Sequence, residues 1–149
     1  MDTSGTHLWL VLAKALHVMQ QHAERSLEGI DMCLSDFAIL ETLLNRGPQP
    51  VNTIGQRIHL TSGAVTTAVD RLETRGLVVR RSDPNDRRAR IVTLTAAGTK
   101  CIGAIFGKHK EAMDRLADGL TKSERATLIG LIKKLGLGAE ERLKEGSKT

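Results

Sequence analysis

A chain of 149 residues, 40% hydrophobic, with two cysteines, is long enough to bury one core without disulfides or a structural metal. The formal net charge of +5 makes a polyanionic partner reasonable, but alone it does not separate nucleic acid from an anionic membrane surface. Cys33 and Cys101 form neither a CxxC pair nor a zinc spacing, no apolar run approaches a membrane span, and no secretory leader pattern opens the chain, so a reduced, soluble, cytoplasmic setting is expected.

LWLVLAKALHVMQQHAERSLEG places Leu8, Leu12, Ala15, Leu16 and Met19 at helical recurrence, with Gly29 as the expected end. Trp9 and Val11 widen the stripe, which suggests that more than one surface packs on this helix, a second subunit's included. SDFAILETLLNRG predicts a helix capped by Ser35 and stopped by Gly47 and Pro48, with Phe37, Leu40 and Leu44 inward. VNTIGQRI reads as a short helix after Pro50. Thr61, Ser62 and Gly63 then break the chain before AVTTAVDRLETRG, which turns Val65, Val69 and Leu72 inward and ends at Gly76. Two short helices around a tight turn make a helix-turn-helix.

LVVRRS and ARIVTLT are β-branched runs flanking RSDPNDRRAR, so residues 81–90 are expected to form the loop of a β-hairpin. A hairpin directly after a helix-turn-helix makes a winged helix. From Ala96 the helical pattern returns with Ile102, Ile105, Phe106, His109, Met113 and Leu116 on one side. Thr121 to Glu124, TKSE, predicts a capping box opening a last helix that ends at Gly136, and the terminal EGSKT reads as disordered. The expected fold class is mainly α with a small β-hairpin.

Charge position is more informative than its total. Between Arg57 and Arg90 stand eight arginines and no lysine, against four acidic residues. Arginine suits bidentate contact with phosphate or base edges. In the candidate recognition helix, Thr61, Ser62 and Gly63, with Thr66 and Thr67 one turn on, are small positions that can approach phosphates and base edges, and Arg71 further along the same helix is also expected to contact DNA. An ordinary surface helix is the plain alternative, which the surrounding pattern disfavours. Asp83-Pro84-Asn85-Asp86 is turn chemistry that sets Arg87 and Arg88 near the hairpin tip. Such a tip is ordinarily just solvated, but after a recognition helix it can reach a minor groove, whose negative potential attracts arginine. A carboxylate such as Asp86 beside a guanidinium can fix its direction.

LTSGAVTTAVDRLETRGLVVRRSDPNDRRARIVTLTAAG resembles the core of the MarR family of bacterial transcription regulators, and DP-x-DRR followed by LT-x-x-G is close to that family's wing signature. The resemblance runs from about Leu8 to Gly136. It implies a single domain over residues 1–149: a winged-helix DNA-binding part over about 35–95, and helices over about 6–30 and 96–146 that dimerise. Such proteins are dimeric repressors, less often activators, of palindromic double-stranded DNA operators, released by small, often phenolic, molecules or by cysteine oxidation. By that resemblance Arg88 is the minor-groove arginine, Asp86 its anchoring partner, and Arg87 lies near phosphate. Thr67 departs from a family position that is frequently basic. CLSDFAILETLLNRGPQPVNTIG, LTSGAVTTAVDRLE and FGKHKEAM are most similar to the branch holding a repressor that responds to quinones and catechols, which implies a small aromatic effector.

Glu41 and His109 each sit in or beside an apolar helical stripe, next to Phe37 and Phe106. Either alone reads best as a satisfied core polar group. Together, in a protein resembling ligand-responsive regulators, they suggest a pocket lined by Trp9, Phe37 and Phe106, with Glu41 and His109 bonding to a ring hydroxyl; Trp9 fits a dimer core equally well. Cys33, near a helix N-terminus, supplies a thiol-redox alternative, although oxidation-sensing relatives carry their cysteine in the first helix. Cys101 reads as packing. No catalytic constellation stands out, so an enzyme is not expected, and no cofactor or metal is called for. A metal-responsive alternative is weakened because His17 and His22, five apart on a helix, share a face poorly.

Overall fold

The computed structural model describes residues 1–147, and no helix among them is long and apolar enough to cross a membrane. The chain runs α1 (Gly5–Arg25), α2 (Leu34–Arg46), β1 (Gln49–Pro50), α3 (Val51–Ile58), α4 (Ser62–Thr74), β2 (Val78–Ser82), β3 (Arg90–Leu94), α5 (Ala96–Leu116) and α6 (Lys122–Gly146). It divides into two compact units, Met1–Met113 and the remainder from Asp114. This is the mainly α, winged helix-turn-helix architecture expected, with α3 and α4 as the helix pair and β2–β3 as the hairpin.

In the first unit the core gathers the inward faces of α2, α3 and α4 with Val78 and Val92 of the hairpin. Ile39, Leu40, Ile54, Val65, Val69, Leu72 and Ile102 are essentially sealed from solvent. Each such side chain stabilises by about 1.5–3 kcal/mol. The turn of the helix pair is tight at both ends: a Cβ on Gly55 would meet Val65 Cγ2 at 3.0 Å, and His59 closes α3 in the left-handed region at φ 55°. The Leu60 N–H then returns to the Gly55 carbonyl at 3.0 Å, satisfying a helix-end acceptor.

The wing is a three-stranded antiparallel sheet in the order β1-β3-β2. Val78 faces Leu94 and Ser82 faces Arg90 in the hairpin register, while Gln49 and Pro50 pair with Val92 and Ile91. The third strand is an addition to the expected hairpin: two residues, one of them proline, carry no β pattern, and proline is tolerated because the strand is an edge. The LT-x-x-G run also acquires a physical reason. Thr95 Oγ1 donates to the Gly76 carbonyl at 2.6 Å and accepts the Gly98 N–H at 3.0 Å, and a Cβ on Gly98 would lie 1.9 Å from the Leu77 carbonyl oxygen. Only glycine lets α5 start against the root of the hairpin.

Several boundaries differ from expectation. α1 ends at Arg25 and Gly29, at φ 79°, belongs to the turns that follow. Cys33, not Ser35, caps α2, because the Ser35 hydroxyl pairs with the Cys33 sulfur at 3.1 Å and the first helical bond runs from the Phe37 N–H to the Cys33 carbonyl. α6 continues past Gly136 to Gly146: the interior glycines cost roughly 1 kcal/mol each, offset by good helix formers and by the Lys144–Glu140 pair at 2.6 Å. Of the EGSKT expected to be disordered, Glu145 and Gly146 are helical and Ser147 is the cap; Lys148 and Thr149 lie outside the described residues. The Thr121–Glu124 capping box forms as expected, the Thr121 hydroxyl accepting the Glu124 N–H at 3.2 Å and the Glu124 carboxylate accepting the Thr121 N–H at 2.7 Å.

Candidate nucleic-acid interface and effector site

α4 is seated by a buried face, Val65, Ala68, Val69 and Leu72, which leaves Ser62, Gly63, Thr66 and Thr67 exposed together on the other side. The Thr61 side chain caps the helix by accepting the Ala64 N–H at 3.2 Å. Thr66 Oγ1 donates to the Ser62 carbonyl at 2.8 Å, and Thr67 Oγ1 to the Gly63 carbonyl at 2.9 Å.

The arginine block separates into two groups. Arg71 is held by Asp36, a carboxylate only 4% exposed: its Nη2 lies 2.6 Å from Oδ1 and its Nε 3.4 Å from Oδ2. Arg75 donates to the Asp31 carbonyl at 2.7 Å, and Arg90 to the Ser82 hydroxyl. Arg80 ties β2 to α4: its main-chain N–H and its guanidinium both reach the Glu73 carboxylate, at 3.0 Å and 2.8 Å, and its Nη2 also pairs with Asp70. Those donors, the main-chain N–H first and the guanidinium second, hold the Glu73 pKa below the usual carboxylate value. Arg57, Arg81, Arg87 and Arg88, by contrast, are exposed, and their guanidinium groups carry no hydrogen bond or ion pair among the described residues. Exposed, unneutralised guanidinium groups are what a phosphate backbone attracts.

The wing tip is organised by its aspartates. Asp83 Oδ1 accepts the Asn85 N–H at 2.8 Å, Asp86 Oδ1 accepts the Arg88 N–H at 2.9 Å, and the Asp86 carbonyl accepts the Ala89 N–H at 3.0 Å. Asp86 therefore sets the main chain of Arg88; the hydrogen bond does not involve the guanidinium. Arg88 and Thr66 line one cleft of about 220 Å³ with Asn52 and Arg90, so the wing tip and the recognition helix share a surface. Asn52 carried no sequence signal beyond its place at the start of α3. Asp36 reads in the sequence as an ordinary first-turn acid, and only its burial opposite Arg71 gives it a role.

The expected effector residues meet in part. The Phe37 and His109 rings lie 4.4 Å apart between centroids, Phe106 packs against the same core, and Glu41 is near enough to act on His109 electrostatically. Trp9 is 66% exposed and sits with the exposed apolar residues of α1. Ser26, which the sequence did not mark, completes the cluster: its Oγ is 2.8 Å from His109 Nδ1 and 2.6 Å from the Ala23 carbonyl. A carbonyl only accepts, so the Ser26 hydrogen goes to Ala23 and its oxygen accepts from His109. Neutral His109 thus carries its proton on Nδ1 and keeps Nε2 as an acceptor. Burial lowers its pKa, with Glu41 acting in the opposite sense.

Cys33 is exposed, with its sulfur 3.5 Å from Arg71 Nη2, and it shares a groove of about 750 Å³ with Thr67. Among the described residues no group of three His, Cys, Asp or Glu side chains is placed to hold a metal ion.

A winged helix-turn-helix, DNA-binding transcriptional regulator is the class that this fold and this surface define. Residues 33–89 match the MarR family. The chain is 30% identical over 141 residues to the HTH-type transcriptional regulator MhqR of Bacillus subtilis, spanning 95% of this chain and 97% of that protein. It is 36% identical over 137 residues to the HTH-type transcriptional regulator YkoM of the same organism, spanning 92% and 89%. The chain therefore belongs to the MarR family of transcriptional regulators. Its fold is shared, at a TM-score of 0.80 and 24% identity, with a cysteine-to-serine mutant of Escherichia coli MarR in complex with operator DNA, covering 91% of this chain and 99% of that one. It is shared equally, at a TM-score of 0.80 and 21% identity, with Bordetella bronchiseptica BpsR, whose structure concerns regulation of DNA binding by 6-hydroxynicotinic acid, covering 87% and 98%.

Proposed function

We propose that this regulator is a repressor that binds a palindromic double-stranded DNA operator as a homodimer and is released by a small phenolic or quinone-like effector. The observation that carries the DNA-binding geometry is the division of the arginines: the Arg87 and Arg88 guanidinium groups stand without a partner among the described residues, on a wing whose base is clamped to α4 through Arg80 and Glu73. Thr61, Ser62, Gly63, Thr66 and Thr67 face the major groove, Arg88 enters the adjacent minor groove, Arg87 lies along phosphate, Asp86 fixes the main chain that aims Arg88, and Arg71 holds the recognition helix against α2. Residues 35–95 act as the DNA-binding part of a single functional domain, and the helices over 6–30 and 96–146 join two chains. The exposed apolar residues of α1 and α6, Trp9, Val11, Leu131 and Leu137 among them, support that pairing.

Two recognition helices on one duplex enter successive major grooves about 34–36 Å apart. A ligand that alters their spacing weakens both half-sites at once. Phe37, Phe106 and Glu41, with His109 Nε2 accepting a ring hydroxyl, form the effector site; Trp9 joins it only if the partner chain brings it there. The test has two arms. Selection from random duplexes should enrich inverted repeats with half-sites about one helical turn apart, and Arg88→Ala should weaken binding about tenfold or more while leaving dimerisation unchanged; undiminished binding removes the wing from the interface. A thermal-shift screen of phenols, quinones and aromatic acids, followed by operator release, addresses the effector, and unchanged affinity in His109→Ala removes His109 from the site.

A thiol-redox switch at Cys33 is the second reading, favoured by its exposure and by its contact with Arg71 beside the recognition helix. Peroxide-induced operator release that Cys33→Ser abolishes is the outcome it requires.

A further inference from the structure

α4 carries no free cationic side chain on the surface it presents. Arg71 is engaged by the buried Asp36, and Arg75, at the C-cap, donates to the Asp31 carbonyl. What remains on the second turn is Thr66 and Thr67, and their hydrogen bonds set what they can do. Each hydroxyl donates backward to a main-chain carbonyl, of Ser62 and Gly63 respectively, at 2.8 Å and 2.9 Å. With those hydrogens engaged, each threonine presents outward an acceptor oxygen and a methyl group.

Base edges in the major groove differ in what they offer such a surface. Guanine shows two acceptors, N7 and O6, and needs a donor, most often an arginine or lysine. Adenine offers the N6 amino group and its partner thymine the C5 methyl, so a single A·T pair supplies a donor for the hydroxyl oxygen and an apolar contact for the methyl. Cytosine offers an amino donor but no methyl.

Building on the DNA-binding reading above, we infer that Thr66 and Thr67 are specificity-determining residues that select A·T pairs in each half-site, as acceptors from adenine and methyl contacts to thymine, and do not read guanine. Ser62 keeps its hydrogen free of the helix, so the assignment concerns the second turn of α4 alone. A duplex with guanine under this turn meets acceptors facing acceptors, which disfavours binding without any steric clash.

The experiment compares duplexes selected by the wild-type chain with those selected by Thr66→Ala and Thr67→Ala; the positions whose preference relaxes are the pairs these residues read. The expected result is A·T at those positions. Replacing their thymines with uracil, which removes only the methyl, should then weaken wild-type binding about threefold or more, and should have no further effect on Thr66→Ser or Thr67→Ser at the corresponding pair. The uracil measurement uses the unaltered protein and so does not depend on any variant folding. Guanine at the relaxed positions, no relaxation anywhere, or indifference to uracil overturns the inference while leaving DNA binding in place. Failure to enrich any duplex overturns the DNA-binding reading itself, and this one with it.

Discussion

Ile39, Ile54, Val65, Leu72 and Val92, all between the start of α2 and the end of β3, are sealed from solvent, whereas Trp9 and Leu16 of α1 and Leu131, Ile132 and Leu137 of α6 stand exposed. The two regions have the same kind of side chain in opposite environments. The winged-helix part satisfies its apolar residues within one chain. α1 and α6 leave theirs exposed, and this is the surface that the proposed pairing of two chains would bury. The arginines divide in a similar way: Arg71 and Arg80 meet carboxylates and tie elements of the fold together, whereas the guanidinium groups of Arg57, Arg81, Arg87 and Arg88 are exposed and without a partner among the described residues.

The largest expected effect breaks this comparison at α6. Ile132→Glu with Leu135→Glu places charge on the exposed apolar surface; sedimentation should show single chains, and operator binding should fall about a hundredfold or more because one half-site is lost. A variant that stays dimeric takes this surface out of the pairing. Next is Gly98→Ala, where the Leu77 carbonyl lies 1.9 Å from the added Cβ. The backbone must shift, so denaturation should report a loss of about 2–4 kcal/mol or failure to fold; wild-type stability contradicts the close approach. Arg71→Ala leaves the buried Asp36 without its partner and should cost about 1–3 kcal/mol in the same measurement, the guanidinium being partly exposed.

The smallest effect concerns His109 and sharpens the border between core and ligand site. Burial depresses its pKa in the folded chain, so the unfolded chain takes up the proton first as the pH falls. Its contribution is intact above the ordinary histidine value of about 6.5 and is lost as the pH falls toward and through the lower folded value. The denaturation midpoint of wild type should therefore drop more steeply than that of His109→Gln when the pH is lowered from about 7.5 to 5.5. Parallel profiles contradict the burial of a neutral imidazole.

Periodicity and turn chemistry made α2, α3, α4, the hairpin and the Thr121 capping box legible, because each depends on residues close in the chain. β1 was not, since Gln49 and Pro50 become a strand only by pairing with β3. Nor was the length of α6, where Gly136 resembles a terminator but keeps a helical backbone. In the candidate site, eight arginines look alike in sequence, and distant carboxylates such as Asp36 decide which of them are available. Ser26 lies 83 positions from His109, and no local pattern announces that contact or the tautomer it imposes.

The measurement that tests the account most directly is the mass of the protein–operator complex by sedimentation, across protein concentrations, on a selected duplex. Two chains per duplex are predicted, with a half-site duplex bound far more weakly. A single chain bound as tightly to the half-site as to the full operator contradicts the proposed pairing of two chains through their terminal helices.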